Sequence, residues 1–326
     1  MTKKSVYVTR AIPDETIAAL RATFDVEVNP DDRALTRAEL LEKVRGRDAL
    51  VTLLTDGIDD ELLAAAGPRL KVVANYAVGY NNFDLAAATK HGVVLTNTPG
   101  VLDDATATHT MTLLLATARR IAEADKYVRD GKWKGWAPMF FIGLDVDHRT
   151  LGIAGLGRIG KNVARKARGF DMKILYCDVV RDEAFEAETG AEKVDKERLL
   201  AESDFLTLHT PLIPETRHWI GEAELKKMKP TAALINASRG PVVDEKALVR
   251  ALREKWIWGA GLDVYEAEPV LESGLAELDN VVIVPHIASA TTETRLAMGR
   301  IVVDNVTAVL TGGAPTTCVN PDVLKR

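Results

Sequence analysis

Cysteine is almost absent: Cys177 and Cys318 are the only two in 326 residues. Two thiols so placed make no disulfide framework, so a stapled secreted scaffold is excluded and a reducing cytoplasm is expected. Long apolar runs are missing as well. No stretch approaches the ~18 apolar residues of a membrane span, and the opening MTKKSVYVTRAIP has no apolar core of an export signal. Nor is there an excess of positive charge. Lys and Arg number 42 against 47 Asp and Glu, a net charge of −5, which provides no basic field for nucleic acid or an anionic membrane. HExxH, CxxC, Walker, EF-hand and GxSxG patterns are all lacking, and six scattered histidines show no ligand spacing. No metal site is expected.

What remains is an ordinary globular composition, 47% hydrophobic and 27% charged, in a chain long enough for two domains with cores of their own. From the N-terminus, apolar runs read as strands near 5–9, 24–28, 49–54, 70–74 and 93–95. Helical patterns fall between them near 14–21, 36–44, 59–66 and 82–91. Such alternation is the signature of an α/β domain with a mainly parallel sheet. No glycine fingerprint follows any of these strands.

The fingerprint comes later, in TLGIAGLGRIGKNVARKARGFDMKILYCD from Thr150 to Asp178. It reads as strand, glycine turn, helix, strand and acid, the order of a dinucleotide-binding unit. Gly155 permits the tight turn, Gly157 lets backbone approach a pyrophosphate, and Gly160 lets the helix lie close to the strand. The helix start then offers unpaired N–H groups to phosphate. Two α/β units therefore stand in series, and only the second announces a cofactor.

Between them, 103–121 has helical periodicity with an apolar middle and reads as a buried helix bridging two domains, with an ordinary core helix as the alternative. The aromatic-rich segment that follows, with Trp133, Trp136, Phe140 and Phe141, would fill a local core, cover a subunit partner or line a ligand cleft. After the glycine unit, strands are expected at 232–236, 259–264 and 281–284, with one more ending near Leu208. A last helix spans 293–310, and the residues beyond Gly312 and Gly313 read as a tail. Ligands of an open parallel sheet sit outside the C-terminal strand ends, and His209, Arg239, Glu268 and His286 all lie just past such ends. Each alone has a bland reading, as a surface ion pair, a turn cap or a packed histidine. Together they suit hydride transfer at a carbinol carbon, which needs a base for the hydroxyl proton. A carboxylate can orient that base, and an arginine can clamp an acidic substrate.

Several longer motifs then carry a resemblance over nearly the whole chain: NYAVGYNNFD (75–84), TNTPGVLDDATA (96–107), GLGRIG (155–160), LHTPLIPETRHWI (208–220), NASRGPVVDE (236–245), GLDVYEAEP (261–269) and PHIASAT (285–291). The sequence resembles the D-isomer-specific 2-hydroxyacid dehydrogenase family, and within it the glyoxylate/hydroxypyruvate reductases. That resemblance implies an α/β fold of two Rossmann-like domains with parallel sheets, the cofactor domain (100–287) inserted into a substrate domain made of 1–99 and 288–326. It implies Arg239 on the substrate carboxylate and keto oxygen, His286 as acid/base, and Glu268 bonded to it and raising its proton affinity. Val78 and Gly79 would offer N–H groups to the carboxylate. Arg158 and Ile159 would contact the pyrophosphate, Asp263 would hold the nicotinamide amide, and Trp136 would reach the active site of the partner subunit in a homodimer. One departure is Thr108, followed by His109, where many relatives carry an acid.

The expected activity is reduction of a small 2-keto acid with NAD(H). Alternatives are a 3-phosphoglycerate or other D-2-hydroxyacid dehydrogenase, and a non-enzymatic dinucleotide sensor of the corepressor kind. Asp178 argues for NADH over NADPH, because a carboxylate there accepts from ribose hydroxyls and repels a 2′-phosphate. Arg181 is the nearby cation, Asp182 and Glu183 beside it are acidic, and Val179 and Val180 follow the acid directly.

Overall fold

The computed structural model describes residues 3 to 325, which divide into two compact units. The chain passes from one to the other at Leu102–Asp103 and back at Ser289–Ala290, against the expected 99–100 and 287–288.

The first unit begins with β1 (Ser5–Val8), α1 (Asp14–Thr23), β2 (Asp25–Val28), α2 (Arg37–Lys43), β3 (Ala49–Thr52), α3 (Asp60–Ala66), β4 (Val72–Asn75), α4 (Leu85–His91) and β5 (Val94–Thr96). The strands pair in parallel in the order β2-β1-β3-β4-β5. β3 and β4 are buried along their whole length, as strands covered on both faces must be, which is why they read as unbroken apolar runs. Polar side chains start three of these helices. Thr36 and Glu39 form a capping box on α2, while Asp59 and Asp84 cap α3 and α4.

The second unit follows with α5 (Asp103–Ala118), α6 (Ile121–Arg129), β6 (Thr150–Ala154), α7 (Arg158–Ala167), β7 (Lys173–Cys177), α8 (Glu183–Thr189), β8 (Glu192–Lys193), α9 (Lys196–Glu202), β9 (Phe205–Leu208), α10 (Glu222–Leu225), β10 (Ala233–Asn236), α11 (Glu245–Arg253), β11 (Gly259–Leu262) and β12 (Val281–Ile283). Its seven strands run β12-β11-β10-β9-β6-β7-β8, every neighbouring pair parallel. Chain order reverses between β6 and β9, and that switch point is where a doubly wound sheet opens a crevice. Met111 and Leu114 of α5 join Val163 and Ala164 of α7 in one core layer. Leu199 of α9, Leu225 of α10 and Leu248 of α11 build the other.

The expected single helix over 103–121 stops earlier. Arg120 takes a left-handed φ of 53°, held by a fork to Glu123, and α6 starts anew behind it. α5 itself packs as a core helix of the second unit. α8 and the short β8 are further elements that the apolar pattern did not announce.

The chain then returns to the first unit as α12 (Thr292–Leu310), burying Met298, Val302 and Val306. Gly299 makes this possible, since a β-carbon there would come 1.9 Å from Thr16 Oγ1 of α1. The residues expected as a tail are tied to the sheet edge: Val319 N donates to Leu95 O at 2.9 Å, and Leu95 N to Asn320 Oδ1 at 2.9 Å. Among the described residues no helix is long and apolar enough to cross a membrane, and no three His, Cys, Asp or Glu side chains gather to hold a metal.

Candidate active site

β6 ends at the switch point and hands over to the glycine turn. Gly155 has φ +90°, and a β-carbon on it would meet the His209 carbonyl carbon at 2.9 Å. A β-carbon on Gly160 would stand 2.3 Å from Gly155 O. Gly157 differs: nothing lies within 4 Å of where its β-carbon would be. It is the N-cap of α7, and no side chain caps that helix, so the first N–H groups face open space that a pyrophosphate can fill. Ile159 packs its side chain against the core, which leaves its backbone N–H for a phosphate. Arg158 is 68% exposed and donates Nε to Asp103 Oδ2 at 2.7 Å.

Asp178 follows β7 directly. Its Oδ2 accepts from Leu156 N at 2.7 Å and its Oδ1 from Val180 N at 3.2 Å. The carboxylate is thus locked beside the glycine turn with lone pairs left over for two hydroxyls. Neighbouring cations are engaged: Arg181 forks onto Glu186 at 2.8 and 3.0 Å, and Lys161 bonds Asp182. At the end of β9, His209 Nε2 and Thr210 Oγ1 are buried without a hydrogen-bond partner. Burial lowers His209 to about 4, so it is a neutral imidazole. Uncapped N–H groups, an open glycine cradle, a fixed carboxylate and two orphaned polar atoms together fit a bound dinucleotide.

The chemistry-bearing groups leave three adjacent strands in register, since Asn236, Leu262 and Ile283 are neighbours across β10, β11 and β12. After β10, Asn236 folds the loop: Oδ1 accepts from Ser238 N at 3.0 Å and Nδ2 donates to Arg239 O at 3.0 Å. Asn with Ser two residues on is an Asx-turn signal that could have been read in advance. Arg239 Nη1 donates to Ser238 O at 2.6 Å. Burial lowers the guanidinium's pKa and Glu268 opposes this; arginine remains a cation. Glu268 accepts from Tyr265 N at 3.0 Å on one oxygen and pairs with His286 Nδ1 at 2.9 Å on the other. Burial pushes this carboxyl up, but His286, the Tyr265 N–H and Arg239 outweigh it and hold it below its ordinary value. An ionised carboxylate only accepts, so Nδ1 carries the proton in that bond and Nε2 faces away from it.

Asp263 is 0% exposed. Its two oxygens accept from Ile287 N at 2.7 Å and Ala288 N at 2.9 Å, and His109 Nε2 stands 3.3 Å from Oδ1. What this geometry supports directly is a brace on the turn after β12, where His286 has a left-handed φ of 53°. The sequence draws attention to Thr108, which is exposed and donates to Asp104 O; the residue that faces Asp263 is its neighbour His109. Val78 and Gly79 lie in the first unit beyond β4, with their carbonyls held by Asn97 Nδ2 and Asn75 Nδ2 at 2.8 Å each. Trp136 is 84% exposed on the segment after α6.

An all-parallel, doubly wound sheet with a glycine cradle at its switch point and an acid after the second strand defines a dinucleotide-binding domain. A sequence model for the "D-isomer specific 2-hydroxyacid dehydrogenase, NAD binding domain" matches residues 111–288. The glyoxylate reductase of Thermococcus litoralis is 54% identical over 326 residues, covering 99% of this chain and 98% of that protein. The crystal structure of the TT0316 protein from Thermus thermophilus is similar with TM-score 0.91 and 43% identity, over 97% of this chain and 99% of that one. An NADPH-dependent glyoxylate/hydroxypyruvate reductase from Sinorhizobium meliloti, solved with NADP and malonate, has TM-score 0.85 and 33% identity, over 98% and 97%. The chain belongs to the D-isomer-specific 2-hydroxyacid dehydrogenase family.

Proposed function

We propose that this protein reduces glyoxylate, hydroxypyruvate or a similarly small 2-keto acid to the 2-hydroxy acid, with NADH as the preferred reductant. The observation that carries the reading is the 2.9 Å pair of His286 Nδ1 and Glu268 Oε2, with Arg239 close enough for its charge to act on Glu268. Gly155, Gly157 and Asp178 would hold a nicotinamide dinucleotide by its pyrophosphate and ribose, and that group would supply the hydride for the carbonyl carbon. Arg239 grips the substrate carboxylate and polarises the carbonyl oxygen. His286 Nε2 delivers the proton to the oxygen as the C–H bond forms, so carbonyl, hydride and proton balance as an alcohol. Glu268 holds the ring through Nδ1 and so fixes Nε2 as the nitrogen that serves the substrate. The glycine turn and the N–H groups of Arg158 and Ile159 bind the pyrophosphate.

NADH preference follows from Asp178 and from the engagement of Arg181 with Glu186. A 2′-phosphate would meet a fixed carboxylate and no uncommitted arginine, and we expect at least about a tenfold lower kcat/KM with NADPH, roughly 1.4 kcal/mol. The working unit is a homodimer in which Trp136 reaches the partner's site, in a reducing cytoplasm where Cys177 and Cys318 stay thiols. NADH oxidation against a panel of 2-keto acids tests the activity; no turnover with any of them would leave the sensor reading. Repeating it with NADPH, and with Asp178→Ala, tests the cofactor. Equal efficiencies in the parent, or no gain with NADPH in the variant, would remove Asp178 as discriminator.

A further inference from the structure

Glu245, the first residue of α11, is 5% exposed and has no part in the chemistry above. Burial raises its carboxyl, against the N–H groups of Glu266 and Glu272, and its Oε1 has no hydrogen-bond partner. A carboxylate so placed is costly to keep. What it holds is specific. Glu245 Oε2 accepts from Glu266 N at 3.1 Å, and Glu266 Oε2 accepts from Glu245 N at 3.4 Å. Each residue's carboxylate therefore faces the other's backbone, one at the start of α11, where the loop that carries Arg239 ends, and the other on the loop that carries Glu268. The two loops touch at a second point. A β-carbon on Gly240 would fall 1.8 Å from Tyr265 O and 2.5 Å from Glu266 N, so no side chain fits there. The outer oxygen of Glu266 binds His218 Nε2 at 2.6 Å and Arg217 Nη2 at 2.9 Å. The Arg217 guanidinium counters the charge of Glu266, which together with Glu272 acts on Glu245, and His218 N donates to Pro241 O at 2.8 Å.

We propose that Glu245 and Glu266 form a reciprocal clasp between the two strand-end loops, and that it sets the position of the Glu268–His286 pair relative to Arg239. Both are positioning residues; neither touches substrate. The inference rests on the reading of Arg239, Glu268 and His286 given above. Glutamine at 245 keeps an oxygen that can accept from Glu266 N, whereas alanine keeps none. An imidazole that loses its carboxylate gives up its proton at lower pH, so a loosened clasp has a signature that mere loss of stability lacks.

Glu245→Ala should lower kcat with glyoxylate by about tenfold or more, within the span that acid–base catalysis supplies, while the NADH dissociation constant stays within about twofold. The alkaline fall of reductive kcat/KM should move to lower pH. Glu245→Gln should restore most of both. If Glu245→Ala does not fold, Glu266→Ala, at a part-exposed position, should show the same kcat loss and the same shift. In a Glu268→Gln background, Glu245→Ala should shift the profile no further. Unchanged kcat and profile in Glu245→Ala and Glu266→Ala would overturn the clasp. So would a loss that falls equally on NADH binding, or an additive shift in the double variant. The underlying reading fails separately: in that case the parent turns over no 2-keto acid, or Glu268→Gln alone leaves the profile where it was.

Discussion

His286 carries its ring on a backbone with φ 53°, a conformation that costs a residue with a β-carbon on the order of 1 kcal/mol or more. The strain is held by Asp263, whose carboxylate binds the next two N–H groups. The side chain is thereby aimed before any substrate arrives, and replacing it should cost chemistry and not binding. His286→Ala should lower turnover by roughly 10²–10⁴-fold and leave NADH affinity nearly intact, as steady-state assays beside a fluorescence titration would reveal; a variant within a few-fold of the parent would end the assignment. Glu268 gives a second expectation at this scale. Its carboxyl lies below its ordinary value in the folded protein, so its contribution to stability is present above the unfolded carboxylate range. That contribution is lost as pH falls through the folded value. The melting-temperature gap between parent and Glu268→Gln should therefore stay constant near neutrality and close on acidification. A gap that widens toward low pH would contradict the paired geometry.

The segment from α6 to the start of β6 is an excursion that leaves α5 and comes back to it, since Leu144 N donates to Ala118 O at 2.8 Å. Inside it, Tyr127, Phe140 and Phe141 stack edge to face with centroids 4.5 to 5.4 Å apart, and Arg120 lies over Phe141. Around that small core Trp133, Trp136, Met139, Ile121 and Val128 stay exposed, and α6 buries nothing. So much apolar surface on one excursion is what a subunit interface leaves uncovered. Sedimentation at micromolar concentration should give a dimer. Trp136→Ala should remain dimeric yet lose substrate affinity, while a stable, active monomer of the parent would rule out a partner-supplied Trp136. The aromatic composition of this element was legible in the sequence; its break was not. Arg119 and Arg120 look like a helix end carrying cations, and only the fork to Glu123 and the stacking on Phe141 explain the turn. The same holds around the candidate site. Glycines and strand-end residues announce themselves through local spacing. His109 and Glu245 are held by groups far off in sequence, and as letters they pass for solvated charges; Asp263 stands in a motif at a strand end, but its bonds to Ile287 and Ala288 cannot be read there.

At the level of the whole chain, alternating apolar runs reveal two α/β units in series, but periodicity cannot tell that residues past Ser289 return to the first. α12 looks like any terminal helix until Gly299 is seen pressed on Thr16. This return has a consequence for birth order at the ribosome. β1 to β5 are made first, yet the helix that covers them and the segment tied to β5 are made last. Residues 103–289 are contiguous and complete their core earlier, so the middle of the polypeptide should mature before its beginning. Stalled nascent chains ending shortly after residue 289 has cleared the exit tunnel should yield a protease-resistant fragment starting near Asp103, with the leading hundred residues still digestible. Protection of those leading residues at that length would mean that they fold without α12. Until the last turn of that helix emerges, the early strands are a half-covered sheet that a chaperone would recognise as unfinished.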